Sequence, residues 1–191
     1  MYSFPAKCNI IHYLDEWKTS ISDDSHIGKE FNFLTDEQKA MLYGYSRHMD
    51  AAITEYLRDG KVDDGCELMM RDMVELLSLT LSQIRHKHTG YVFRNADISE
   101  AEENALEQAF LLGTPFTLSY FLPCSDNEGI QQDKKYFFSI RTKSGADIGS
   151  LSSCKHKKIR EIIIPRGVSF RVMRWEPKFM KGKIYVEMEE I

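Results

Sequence analysis

One acidic residue in this chain stands where an acid is expensive. Glu161 opens the run Ile162-Ile163-Ile164, which Pro165-Arg166-Gly167 closes. A carboxylate at the edge of an apolar strand is costly unless it has partners. Held in a protein site, a carboxylate can stabilise positive charge that develops on a bound reactant. Arg94 ends the apolar run Tyr91-Val92-Phe93 that follows Gly90. Its planar guanidinium grips phosphate or carboxylate oxygens with a fork that lysine cannot copy. Ser125 ends Phe121-Leu122-Pro123-Cys124-Ser125, a strand running into a turn. Its hydroxyl can both donate and accept. Each residue alone also has an ordinary structural use: an ion pair for Glu161, satisfied carbonyls for Arg94, a plain turn for Ser125.

These residues need elements to position them. Thr35-Asp36-Glu37-Gln38 is a capping box, in which Thr and Gln satisfy each other's backbone. Apolar residues then recur at Met41, Leu42, Tyr45, Met49, Ile53, Tyr56 and Leu57, the spacing of one buried helical face, and Gly60 is a natural stop. A second helix is expected from Asp64 to Gln83, with Leu68, Met69, Met73, Leu76, Leu77, Thr80 and Ile84 as its face. A third begins at Ser99 with a second capping box to Glu102, carries Leu106, Phe110 and Leu111, and ends at Gly113. A short helix is expected around Ile10 to Trp17.

After Gly113 the period becomes that of strands. Residues 136–140, 162–164, 169–173 and 183–188 are rich in β-branched and aromatic side chains, and Tyr91-Val92-Phe93 is a short strand between helices. Helices first and strands later indicate an α+β domain rather than a βαβ wind. Residues 1–30 read as an N-terminal extension and 31–191 as one domain.

Bulk properties exclude several classes. A net charge of -4 argues against a nucleic-acid binder, and Lys155 to Lys158 is too short a basic run to reverse that. No run approaches the ~18 apolar residues of a membrane span, so no membrane partner is expected. Met1-Tyr2-Ser3-Phe4-Pro5 lacks the basic start and apolar run of a secretory signal. Cys8, Cys66, Cys124 and Cys154 form no CxxC pair and read as reduced thiols. The histidines show no zinc-site spacing, so no metal is expected. Neither GxGxxG nor GxxxxGK[ST] is present.

Taken in order, the segments resemble the mono-ADP-ribosyltransferase family of bacterial toxins and effectors and phage modification enzymes. That family carries an Arg on its first core strand, a Ser-Thr-Ser segment on a following strand, and a Glu before an aliphatic strand ending in Pro. The resemblance spans Leu34 to Met188. Arg94 falls on the family's Arg. Gly113, Phe116, Phe121 and Ser125 fall on its Gly, its aromatic, its Phe and its last Ser. Glu161 to Gly167 follows its Glu-Val-Leu-Leu-Pro-Arg-Gly stretch, the most specific element.

The resemblance implies N-terminal helices packed on two small mixed or antiparallel β-sheets that enclose an NAD cleft. It implies NAD+ as co-substrate and no metal. It makes Glu161, Ser125 and Arg94 the catalytic set, with Arg94, Asn95, Tyr91 and Ser125 binding NAD+. Residues 126–135 would be the loop beside phosphates and nicotinamide. Residues 150–160 would be the substrate-recognition turn, with Ile159, Lys157 and His156 reading the target.

Two departures from the family pattern stand out. Pro123 and Cys124 replace the first Ser and the Thr of Ser-Thr-Ser. Proline has neither hydroxyl nor N–H, so part of that network is either missing or rebuilt, with Ser119, Thr117 and Ser152 as the candidate hydroxyls. Members that modify arginine carry a second Glu two residues before the first, where this chain has Ile159. That disfavours an arginine acceptor and leaves a Ser or Thr hydroxyl by elimination. The implied partner is a host cytosolic protein whose identity stays open, for example of the small-GTPase, actin or ubiquitin type, and the implied protein is soluble and monomeric, an injected effector or toxin or an intracellular phage-like enzyme. The alternatives are an NAD+ glycohydrolase and a catalytically degenerate binding module.

Overall fold

The computed structural model describes residues 15, 19, 31–129, 133–152 and 160–191. The chain divides into two compact units, Met1–His86 with Ala146–Glu161, and Lys87–Gly145 with Ile162–Ile191.

The first unit is helical. The capping box forms as expected: the Gln38 N–H donates to the Thr35 hydroxyl at 3.3 Å, and the Thr35 N–H to Gln38 Oε1 at 2.9 Å. It opens α1 (Asp36–Gly44). Gln38 also donates through Nε2 to Gln83 Oε1 at 2.9 Å, tying the start of α1 to a later helix. The expected single helix contains a π segment, Tyr45–Met49, before α2 (Asp50–Asp59). Tyr45 and Met49 are buried at the two ends of that wider turn. Gly60 stops α2 at φ +66°, a conformation that costs glycine little. Tyr56 and Leu57 are only half-buried, because the apolar stripe ends at Ile53.

Helix α3 (Glu67–Gln83) starts three residues later than Asp64. Its buried face is Met70, Met73, Val74, Leu77, Thr80 and Leu81, continued by Ile84. Leu68 is exposed and Met70 is buried, so the expected face is corrected at its N-terminal end. α1 packs on α3 and on a 3₁₀ turn, Gly149–Leu151. Asp15 and Thr19 are helical, with the Thr19 hydroxyl donating to the Asp15 carbonyl at 2.8 Å. The other residues of the expected Ile10–Trp17 helix lie outside the described residues.

The second unit holds the strands β1 (Lys87–Ala96), β2 (Phe116–Thr117), β3 (Leu122–Ser125), β4 (Tyr136–Asp147), β5 (Glu161–Ile164), β6 (Ser169–Phe179) and β7 (Lys183–Glu190). The last residues of β4 and the first of β5 belong to the helical unit. The strand order is β1-β3-β5-β4-β7-β6-β2, with β1 also pairing β4. The two small sheets implied by the resemblance thus run into one another through hydrogen bonds. β1–β3, β2–β6 and β6–β7 are antiparallel, and β4–β7 is parallel. The fold class is α+β, as the sequence indicates.

Helix α4 (Glu100–Leu112) packs on β6 and stops at Gly113 with φ +66°. Ser99 caps it by accepting from the Glu102 N–H. The reciprocal half of the expected box is absent, because Glu102 accepts the Tyr120 hydroxyl instead. Leu106 and Ala109 are buried, while Phe110 and Leu111 are exposed, so the expected face is corrected there too. An aromatic core lines the strands. The Phe93 and Phe137 rings stack with centroids 6.0 Å apart, and Tyr136, Phe137 and Phe170 are fully buried.

Two features of this core carry predictions. A Cβ on Gly145 of β4 would lie 2.6 Å from Ile162 Cγ2 on β5. Gly145→Ala is expected to destabilise by about 1–3 kcal/mol through overpacking, read from a denaturant midpoint. Glu190 ends β7 with Oε2 accepting the Thr142 hydroxyl at 2.7 Å, the Lys143 N–H at 2.5 Å and the Ser144 N–H at 3.0 Å. Burial raises this carboxyl's pKa, but the donors outweigh it and hold the group below the usual carboxylate range. A depressed folded value means stability that is present above the ordinary value of 4.5 and is lost as pH falls. Glu190→Gln is expected to cost about 1–3 kcal/mol at neutral pH and to flatten the acid-side fall in Tm. An unchanged acid limb in that variant would assign the acid sensitivity elsewhere.

Candidate functional site

Arg94, Tyr91 and Asn95 all lie on β1. Strand alternation puts Arg94 on one face and Tyr91 and Asn95 on the other. Arg94 is half-buried beside the fully buried Val92. Its Nη1 donates to the Pro123 carbonyl at 2.6 Å. Proline lacks a hydroxyl and an N–H, but it keeps this acceptor, so the replacement of serine leaves Arg94 anchored to β3. A guanidinium has five donors, and one bond to Pro123 fixes the plane of the fork without exhausting it.

Ser125 pairs with Phe93 across β1 and β3. Its hydroxyl donates to the Asn127 carbonyl at 2.9 Å and accepts from the Asn127 N–H at 3.3 Å, a tight local turn. Asn95 Nδ2 donates to the Gly129 carbonyl at 2.7 Å. Just past the end of β1, Asp97 accepts the Lys135 N–H at 2.9 Å and Lys134 Nζ at 3.1 Å. The Lys135 N–H, then the Lys134 ammonium, hold the Asp97 carboxyl below the usual range. Asn95 and Asp97 therefore hold Gly129 on one side, and Lys134 and Lys135 on the other, of the segment between β3 and β4. Asp97 was missed in the sequence. The available signal was its position just past the end of the strand that carries Asn95. Tyr91 is 49% exposed and donates to Glu187 Oε1 at 3.4 Å.

Glu161 opens β5 at the end of the helical unit. Its Oε2 accepts the hydroxyl of Ser152. Ser152 is fully buried, and its N–H donates to the Gly149 carbonyl at 3.1 Å. The Ile148 N–H donates to the Glu161 carbonyl at 3.1 Å, and the Leu151 N–H to the Ile148 carbonyl at 2.7 Å. Asp147 accepts the Gly149 N–H at 3.0 Å and pairs with Arg160. The Asp147 and Arg160 side chains are 13% and 61% exposed, so this partly solvated pair contributes at most about 1 kcal/mol. A cleft of about 290 Å³ is walled by Phe31, His86, Asp147, Gly149 and Arg160. The carboxylate thus stands at the head of β5, with one oxygen held by the buried hydroxyl of Ser152. Of the hydroxyls that could replace the missing serine, Thr117 bonds Ser169 Oγ at 2.7 Å, and Ser152 reaches Glu161.

No protein-family model matches the chain, and no curated protein is similar to it in sequence. Solved structures do match. The ADP-ribosyltransferase HopU1 of Pseudomonas syringae pv. Tomato aligns over 100% of this chain and 99% of its own, with a TM-score of 0.72 and 16% identity. The chain has the ADP-ribosyltransferase fold. Plx2a, an ADP-ribosyltransferase toxin from Paenibacillus larvae, aligns over 93% of this chain and 96% of its own (TM-score 0.67, 17% identity). Exoenzyme S from Pseudomonas aeruginosa, solved with human 14-3-3 protein beta and bound to carba-NAD, aligns over 95% and 88% (TM-score 0.67, 19% identity).

Of the residues singled out on the ADP-ribosyltransferase pattern, Arg94, Tyr91, Asn95 and Ser125 fall in the strand unit, and Glu161 in the helical unit. Ile159, Lys157 and His156 lie outside the described residues, as does the basic run Lys155 to Lys158. Among the described residues, no group of His, Cys, Asp and Glu is placed to hold a metal, and no helix is long and apolar enough to cross a membrane.

Proposed function

We propose that this chain is a mono-ADP-ribosyltransferase, which cleaves NAD+ and transfers ADP-ribose to a side chain of another protein. The observation that carries the reading is a carboxylate at the head of an aliphatic strand, with one oxygen held by a buried serine, in a chain that shares its whole length with an ADP-ribosyltransferase fold. Exoenzyme S bound to carba-NAD supports NAD+ as co-substrate.

The chemistry follows from the residue types. Nicotinamide leaves with the electron pair of its bond to ribose C1′, and the sugar develops oxocarbenium character, as in glycoside cleavage. Glu161 stabilises that charge and holds the ribose 2′-hydroxyl. Arg94 grips the diphosphate with its fork. Ser125 and the backbone beside Arg94, with Asn95 and Tyr91 in support, seat the nicotinamide end. An acceptor oxygen then bonds C1′ and gives up its proton.

Ile159 offers neither the carboxylate nor the amide that would orient a guanidinium or amide acceptor. The acceptor is therefore a Ser or Thr hydroxyl. The target is a host cytosolic protein, of small-GTPase, actin or ubiquitin type, and Lys157 and His156 favour an acidic patch on it. Plx2a being a toxin supports the effector role.

Labelled NAD+ incubated with the chain in eukaryotic and bacterial lysates tests this. A labelled host protein, modified at Ser or Thr by mass spectrometry, is expected. Nicotinamide release with no labelled protein would make the chain an NAD+ glycohydrolase. Neither release nor label would leave a binding module.

A further inference from the structure

We propose that Ser152 is a positioning residue of the site, fixing the orientation of the Glu161 carboxylate through its buried hydroxyl. The inference rests on the transferase reading.

Three observations converge on it. Ser125 spends its hydroxyl in both directions on Asn127, and Thr117 is bonded to Ser169, so neither offers a donor committed to Glu161. Ser152 donates to Glu161 Oε2 from a fully buried position, where an unpaired hydroxyl would be costly. The turn that carries Ser152 is itself rigid. Ile148 and Leu151 are buried, the Ile148 N–H is tied to the Glu161 carbonyl, and Asp147 clasps both the Gly149 N–H and Arg160. Among the described residues of this stretch, Asp147 and Arg160 are paired with each other, and the Ser152 hydroxyl is a neutral donor to the carboxylate. A carboxylate that must meet a ribose in one orientation gains more from such a fixed donor than from a solvated one.

Steady-state NAD+ cleavage by the full chain separates positioning from mere packing. Ser152→Ala is expected to lower kcat by about 10- to 100-fold, the loss of one hydrogen bond to a charged group, with KM for NAD+ within about twofold. Removing a donor to the ionised form raises the Glu161 pKa, so the acid limb of the kcat profile moves to higher pH. Ser152→Cys, matched in volume but a weak donor, is expected to behave like Ala, and Ser152→Thr to restore kcat. Should the extra methyl of Thr prevent folding, NMR titration of the Glu161 carboxyl in the Ala and Cys variants decides, with a rise in both expected. Unchanged kcat and an unmoved carboxyl in active Ala and Cys variants overturn the positioning role and leave the transferase reading intact. A wild-type chain that cleaves no NAD+ overturns the reading and the role together.

Discussion

Glu161→Gln is expected to lower nicotinamide release by about 10²- to 10³-fold in kcat, the scale on which removing one preorganised electrostatic group acts. Gln keeps the length of the side chain and an oxygen that still accepts the Ser152 hydroxyl, so the braced turn has no reason to change. What it loses is the negative charge. If that charge works on the oxocarbenium character of the departing sugar, the loss belongs to the transition state: kcat falls and KM for NAD+ stays within about twofold. Thermal melts of the variant should overlay those of the wild type to within a few degrees. A Gln variant that retains a third or more of the wild-type kcat would remove Glu161 from the chemistry.

Arg94 is expected to act on binding. Arg94→Lys keeps the positive charge but has no planar fork, and loses one or more charge-assisted hydrogen bonds worth about 1.5–3 kcal/mol each. KM for NAD+ should therefore rise by about 10- to 100-fold. Arg94→Ala should be worse, and should also lose some stability, because Arg94 Nη1 holds the Pro123 carbonyl at 2.6 Å. The two variants separate the roles. A Lys variant with normal KM and lowered stability would make Arg94 a strut between β1 and β3 and nothing more.

How much of this was legible in the sequence depends on whether the determinant is local. The Thr35 box, the Gly60 and Gly113 stops and the switch from helical to strand period were readable, because each is set within a few residues. The second box at Ser99 was misread by half, because a distant residue, Tyr120, takes the Glu102 carboxylate. The faces of α3 and α4 were misplaced at Leu68, Phe110 and Leu111 because apolar spacing shows a stripe without saying which edge meets a neighbour. The parallel pairing of β4 with β7 is invisible in either strand alone. In the site, Glu161 stood out because a charge beside three isoleucines needs a reason. Ser152 was readable only as one of three candidate hydroxyls, with Ser119 and Thr117, because no period links it to Glu161 nine residues on. Asp97 escaped for the same reason: its bonds reach 37 and 38 residues along the chain to Lys134 and Lys135.

A crystal structure of the chain with carba-NAD tests the central claim most directly. The account predicts the Glu161 carboxylate within hydrogen-bond distance of the nicotinamide ribose 2′-hydroxyl, still holding the Ser152 hydroxyl, and the Arg94 guanidinium on the diphosphate. A dinucleotide bound away from Glu161, or touching only one of these two side chains, would contradict it.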